Sequence, residues 1–194
     1  DRNTRLLLGI RYVLLRPEFL EWRTWSREIT KVARKVLITL GGSDRDNATH
    51  KVIAALQDVR IPGLEAKVVV GAANPNLDVL RRAARNSHVK LQLHTDVTNM
   101  PDLMAWADVA ITAGGSTCWE VAFMGLPSLV LVLAANQLSS AEELDEIGAA
   151  HNLGCFDGVR VEDISEALSK IIDDYESRLL MNQISKAIVD GDGC

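Results

Sequence analysis

From Lys35 onward, short apolar runs alternate with longer amphipathic stretches. The runs are KVLITL (35–40), AKVVVG (66–71), VKLQLHT (89–95), DVAIT (108–112) and SLVLVL (128–133). Three of them are continuous rather than alternating, as strands are when both faces of a sheet are covered, and all five are predicted strands. Helical windows separate and follow them. DNATHKVIAALQDV (46–59) offers Asp46 as N-cap, and NPNLDVLRRAARNS (74–87) has Pro75 where a first helical residue belongs. MPDLMAWA (100–107) and STCWEVAFMG (116–125) are short, and the second is closed by Gly125 and Pro127. QLSSAEELDEIGA (137–149), VEDISEALSKIID (161–173) and YESRLLMNQISKAIV (175–189) complete the set, with acidic solvated faces on the first two. Strands alternating with helices imply right-handed crossovers and a parallel sheet. The expected fold is α/β, Rossmann-like, with helices on both faces.

Before Lys35 the pattern differs. Residues 6–20 are apolar and extended in character up to the Arg16-Pro17 turn, since proline disfavours helix in the residue before it. Glu18 to Ile29 is a predicted helix with Trp22 and Trp25 spaced for one face. The chain opens on DRNTRLLLGIRYVLLRPEF without an initiator methionine and is expected to be cut from a longer protein. Residues 1–34 are expected to be an interdomain segment and 35–194 one domain.

A chain of 194 residues with 47% hydrophobic and 24% charged residues suits a single globular domain. A net charge of −5 argues against a duplex nucleic-acid partner, which needs a basic face. Arg2, Arg5, Arg11 and Arg16 are diluted by apolar residues and read as ordinary surface. Cys118, Cys155 and Cys194 are too few and too scattered for a disulfide framework or a zinc site. The expected setting is reducing and cytoplasmic. No apolar run approaches the ~20 residues of a membrane span, and the N-terminus has no signal-peptide architecture.

In an open α/β sheet, ligands bind beyond the carboxyl ends of the strands. Two loops there stand out: GGSD (41–44) after the first strand and AGGST (113–117) after the fourth. Each combines paired glycines with a hydroxyl residue and opens a helix. Glycine lets a backbone approach a ligand closely, and a helix N-terminus favours an anion. Two such loops on one rim point to a phosphate-containing ligand. Neither is a Walker loop or a G-x-G-x-x-G fingerprint. Two roles are open to Glu120. With Thr117 as N-cap it completes a capping box; with Ser116 or Gly115 as cap it faces the rim, where its carboxylate can accept hydrogen bonds from the vicinal hydroxyls of a ribose.

WADVAITAGGSTCWEVAFMGLPSLVLV, followed by NQ at 136–137, resembles the nucleotide-sugar motif in the C-terminal domain of GT-B glycosyltransferases. The chain is similar to the UDP-N-acetylglucosamine transferase of peptidoglycan synthesis. It is closer still to the UDP-sugar hydrolases of pseudaminic acid biosynthesis and their spore-coat polysaccharide relatives, through LLGIRYVLLRPEF, ITLGGSD, NM at 99–100 and ANQ at 135–137. The resemblance runs from about Leu6 to Val189 and implies the C-terminal half of a GT-B fold that binds a UDP-sugar. It implies that Glu120 holds the ribose hydroxyls and that Gly114, Gly115, Ser116 and Thr117 line the diphosphate. By the same resemblance Val97 reads the uracil through its backbone, Asn136 and Gln137 reach the sugar or the diphosphate, and Gly42, Ser43 and Asp44 close the site from the facing loop. No metal or other cofactor is implied. The catalytic base is expected to be a histidine of an N-terminal domain that this sequence does not carry, and hydrolysis and glycosyl transfer stay undivided. His50, His88, His94 and His151 read as structural or solvated, with His94 bordering the uracil loop. Asp44 and Asp46 read as caps rather than metal ligands, and Trp22, Trp25, Trp106 and Trp119 as packing residues.

Overall fold

The computed structural model describes residues 9–193; Arg2, Arg5 and Cys194 lie outside them. The domain is a six-stranded parallel sheet in the order β3-β2-β1-β4-β5-β6. Its strands are β1 (Lys35–Thr39), β2 (Glu65–Val70), β3 (Lys90–Thr95), β4 (Val109–Ala113), β5 (Ser128–Val132) and β6 (His151–Cys155). The helices are α1 (Pro17–Leu20), α2 (Ala48–Leu56), α3 (Leu77–Arg85), α4 (Met100–Trp106), α5 (Ser116–Phe123), α6 (Leu138–Glu146), α7 (Val161–Asp173) and α8 (Tyr175–Ile188).

The central strands are buried on both sides, which is why they read as continuous apolar runs. In β1, Val36 and Ile38 enter one core and Leu37 enters the other; in β5, Leu129 and Leu131 face the first and Val130 and Val132 the second. One core includes residues of α2 and α7 and the other residues of α4 and α5. β3 at the edge is only half covered, and its run KLQLHT alternates accordingly. Helix α5 stops where Gly125 takes φ +56°. A side chain there would strike Asn182 of α8, which donates to the Gly125 carbonyl at 2.7 Å.

Four local expectations are corrected. The helix expected over Glu18–Ile29 is only α1, Pro17–Leu20. Trp22 and Trp25 do pack edge to face, with centroids 5.4 Å apart. Beyond them the chain leaves helical geometry to plug Arg27 into the domain, where its guanidinium donates to the carbonyls of Met104 (2.7 Å), Ala107 and Met124 (3.3 Å). Burial pushes the Arg27 pKa down to about 10. Asp46 does not cap α2. The carboxylate of Asp44 accepts from the backbone N–H groups of Ala48 (2.7 Å) and Thr49 (3.0 Å), with Asn47 in left-handed geometry between. Pro75 lies outside α3, which starts at Leu77 after an Asn74 side-chain turn onto the N–H of Asn76. His151, expected in a turn, opens β6, a strand whose half-exposed residues HNLGC have no apolar run to announce it.

Arg178 carries a second long-range tie. It is fully buried, and its guanidinium donates to the carbonyls of Ile171 (2.6 Å), Ile172, Thr30 (2.8 Å) and Lys31 (3.0 Å). One side chain thus joins the end of α7 to the segment entering β1.

Candidate functional site

The strand order places β1 beside β4, and the chain runs outward from this pair in both directions. Loops leaving the two strands therefore diverge to opposite faces and open a crevice at their carboxyl ends. The loop after β1 carries Gly41 and Gly42, and the loop after β4 carries Gly114 and Gly115. The loop after β2 contributes Gly71, and that after β3 contributes Asp96 and Val97.

A recess of about 510 Å³ lies there. Of the predicted site residues it gathers Gly42, Val97, Ser116, Thr117 and Glu120. A neighbouring recess of about 300 Å³, sharing Gly41 and Gly42, gathers Ser43, Asp44 and Gln137. Gly114 and Gly115 line neither recess. A side chain on Gly114 would come within 2.8 Å of the Gln137 carbonyl oxygen, whereas one on Gly115 would meet only the Gln137 amide at 3.8 Å. Gly114 is therefore required for packing, while at Gly115 a side chain would have room. Gln137 is itself held, accepting at Oε1 from the N–H of Leu133 at 3.0 Å. Asn136 is exposed on the 3-10 turn Ala135–Gln137 and lines neither recess.

The two glycine loops are not equivalent. The carboxylate of Asp44 already occupies the N-terminus of α2, so that helix end is not free for an anion. Helix α5 begins after Gly115 with no side-chain cap, and its first N–H groups and positive dipole end point into the crevice.

Glu120 forms no capping box. It is buried at 4% exposure, and its carboxylate accepts two hydrogen bonds from Arg16: Nε to Oε1 at 2.7 Å and Nη2 to Oε2 at 3.0 Å. Arg16 is thus not ordinary surface. The carboxylate holds its pKa above the usual arginine value.

Sequence reasoning missed Arg16 and Gly71. Gly71 follows β2 as Gly41 follows β1, so the same rule of inspecting loops after strands reaches it. A side chain there would sit 2.2 Å from the Gly42 carbonyl oxygen, so the two loops touch backbone to backbone. Gly71→Ala is expected to displace the Gly42 loop and cost about 1–3 kcal/mol of stability. Gly115→Ala should cost no more than about 1 kcal/mol. Urea denaturation of both variants checks the contrast.

None of the four histidines lines either recess. His50 and His88 are exposed, His151 lies 3.4 Å from Asp145, and His94 is half-buried with Nε2 unpartnered. Burial and Lys67 lower the His94 pKa. The four tryptophans are half-buried packing residues. Among the described residues, no group of three or more His, Cys, Asp or Glu side chains is placed to hold a metal ion, and no helix is long and apolar enough to cross a membrane.

Residues 36–190 match the glycosyltransferase family 28 C-terminal domain. The chain is 33% identical to the spore coat polysaccharide biosynthesis protein SpsG of Bacillus subtilis, over 98% of this chain and 56% of that protein. It is 30% identical, over 76% of this chain and 26% of the relative, to a Helicobacter pylori protein. That protein is described as a pseudaminic acid cytidylyltransferase and UDP-2,4-diacetamido-2,4,6-trideoxy-beta-L-altropyranose hydrolase. The chain therefore spans about half or less of the length of these relatives. Among solved structures, MurG of Acinetobacter baumannii superposes with a TM-score of 0.67 at 18% identity, covering 84% of this chain and 50% of that one. The fold is that of a GT-B C-terminal domain.

Proposed function

Since the chain belongs to the glycosyltransferase family 28 C-terminal domain family, we propose that it is the nucleotide-sugar-binding half of a two-domain GT-B enzyme. Residues 1–34 lead in from the other half, and the protein works in the cytoplasm on precursors of a bacterial surface polysaccharide or a nonulosonic acid. The ligand is a UDP-sugar. One observation carries the reading: an uncapped helix N-terminus and a buried carboxylate, one turn apart on α5, face the same crevice at the switch point of the sheet. The diphosphate lies against Gly115, Ser116 and Thr117, and the ribose hydroxyls reach Glu120. The uracil sits by the backbone of Val97. Gly42, Ser43 and Gln137 bound the far side, with Asn136 reaching in from the exposed turn.

In the whole protein, water attacks the anomeric carbon. The bond from that carbon to the diphosphate oxygen breaks, and UDP leaves with the bonding pair. The α5 N-terminus stabilises the charge that grows on the leaving diphosphate. The attacking water gives its proton to a base of the other domain. Transfer to an acceptor hydroxyl uses the same half-site with an alcohol in place of water, and the family description favours that second reading equally. Isothermal titration of the chain with UDP tests the site. Saturable binding is expected, and the absence of both heat and a thermal shift at millimolar UDP would overturn the reading. An assay of the full-length protein for free sugar, with and without acceptor, separates hydrolysis from transfer.

A further inference from the structure

The charges of this chain are sorted across its sheet. Residues 60–90, which build β2, α3 and β3 at one edge, hold six Lys or Arg against two Asp or Glu. Residues 138–176, which build α6, β6 and α7 at the other edge, hold eleven Asp or Glu against two Lys or Arg. The overall charge of −5 hides this division. The basic side chains also collect at one end of their edge. Helix α3 runs back from the carboxyl end of β2 to the amino end of β3, so Arg82 and Arg85 in its last turn arrive beside the start of β3. Arg60, His88 and Lys90 line an open recess of about 490 Å³ at that same end, and Arg60 Nη1 lies 3.2 Å from His88 Nε2.

Internal pairing leaves most of this charge unspent. Arg81 meets Asp78 at 3.1 Å and Lys90 meets Glu65 at 2.9 Å. Among the described residues, Arg60, Arg82 and Arg85 have no carboxylate partner, and all three are exposed. Cations in the last turn of a helix serve its dipole. That accounts for Arg82 and Arg85, but not for Arg60, which comes from a different segment and stands against a histidine. Distance decides whether the acidic edge cancels the basic one. Five strand spacings put β6 about 24 Å from β3, whereas the Debye length at physiological ionic strength is about 8 Å. A surface touching the β3 edge therefore meets positive charge, with the acidic edge screened. No large apolar side chain of residues 60–90 is exposed, so nothing here is offered for insertion into hydrocarbon. The segment also has no Phe, Tyr or Trp on which a nucleic-acid base could stack. Arginines spread over the end of three elements suit a flat anionic surface, to which each adds attraction within a Debye length.

We propose that the amino end of the β3 edge is a docking surface for anionic lipid, held by charge alone, with Arg60, Arg82 and Arg85 as its main contacts. The crevice at the carboxyl ends of the strands lies at the other end of β3, a six-residue strand, or ~20 Å away. A docked chain thus keeps that crevice open to solvent. The acidic edge sets the orientation, because a chain that approaches by β6 is repelled.

The test is co-sedimentation of the chain with vesicles of phosphatidylcholine and phosphatidylglycerol in equal parts, beside vesicles of phosphatidylcholine alone. Binding to the mixed vesicles at about 0.1 M salt is expected, with at least a tenfold loss at about 1 M, where the Debye length falls to about 3 Å. The triple variant Arg60→Gln, Arg82→Gln, Arg85→Gln should lose affinity at least tenfold. The double variant Glu142→Gln, Glu143→Gln on the acidic edge should change it less than twofold. Thermal melts check that both variants fold, and their substituted side chains are exposed. No binding to the mixed vesicles, equal binding to the neutral ones, or an unchanged triple variant would each overturn the proposal. A single-stranded oligonucleotide that binds more tightly than the mixed vesicles, and is lost in the same triple variant, would reassign the surface to nucleic acid and overturn the lipid assignment.

Discussion

Arg178→Met is expected to destabilise the fold by about 3–5 kcal/mol, the range for stripping a buried charged group from its partners. The substitution keeps much of the side-chain volume, so the loss is one of hydrogen bonding rather than packing. Four carbonyls, those of Thr30, Lys31, Ile171 and Ile172, lose the guanidinium together, and Ile172 alone keeps a second donor, the N–H of Ala33 at 3.4 Å. An unpaired buried acceptor costs about 1–3 kcal/mol, and water can reach the Thr30 and Lys31 side in part, which keeps the total below the simple sum. Among the described residues no carboxylate hydrogen-bonds to this guanidinium, and burial lowers its pKa. The charge is held by backbone dipoles, with Asp108, Asp174 and Asp173 acting on it from beyond hydrogen-bond distance. For a domain of this size the expected fall in Tm is on the order of 6–20 °C. Calorimetry checks it, and a fall of less than about 2 °C would mean that Arg178 is not the tie between α7 and the segment entering β1.

Glu120→Ala is expected to weaken UDP binding by about 1.5–3 kcal/mol, roughly 10- to 150-fold, the cost of removing hydrogen bonds to a charged group. Stability should fall by no more than about 1 kcal/mol. The Arg16 partner is 44% exposed at its side chain, and an ion pair with one arm in water is worth little. Titration with UDP alongside urea denaturation reads both effects. A loss of several kcal/mol in stability with UDP affinity intact would make Glu120 a structural residue. The capping-box role is already excluded by geometry, because α5 starts after Gly115 and both oxygens of Glu120 are bound by Arg16.

The parts of this protein that were legible in its sequence depend on short-range physics. Side chains of a strand alternate between faces, so KVLITL and SLVLVL, buried on both, announced central strands. VEDISEALSKIID carried its helical period within itself and became α7 at Val161–Asp173. Glycines placed after strands marked the rim, because the backbone there must turn and stay thin. The neighbourhood of the site followed from that, as the carboxyl ends of parallel strands all lie on one edge.

What the tertiary structure alone decided involves residues that sequence keeps far apart. β6 has no apolar signature and becomes a strand because β5 offers it a free edge. Which helix N-terminus stays open was undecidable from the two similar loops. It turned on Asp44 folding back onto α2 while nothing caps α5. Arg16 looked like surface because no local pattern reveals a partner 104 residues away. Only the order of the strands and the path of the segment entering β1 bring its guanidinium to Glu120. Periodicity is set by neighbours along the chain, whereas pairing of charges and carbonyls across the core is set by where the folded chain returns.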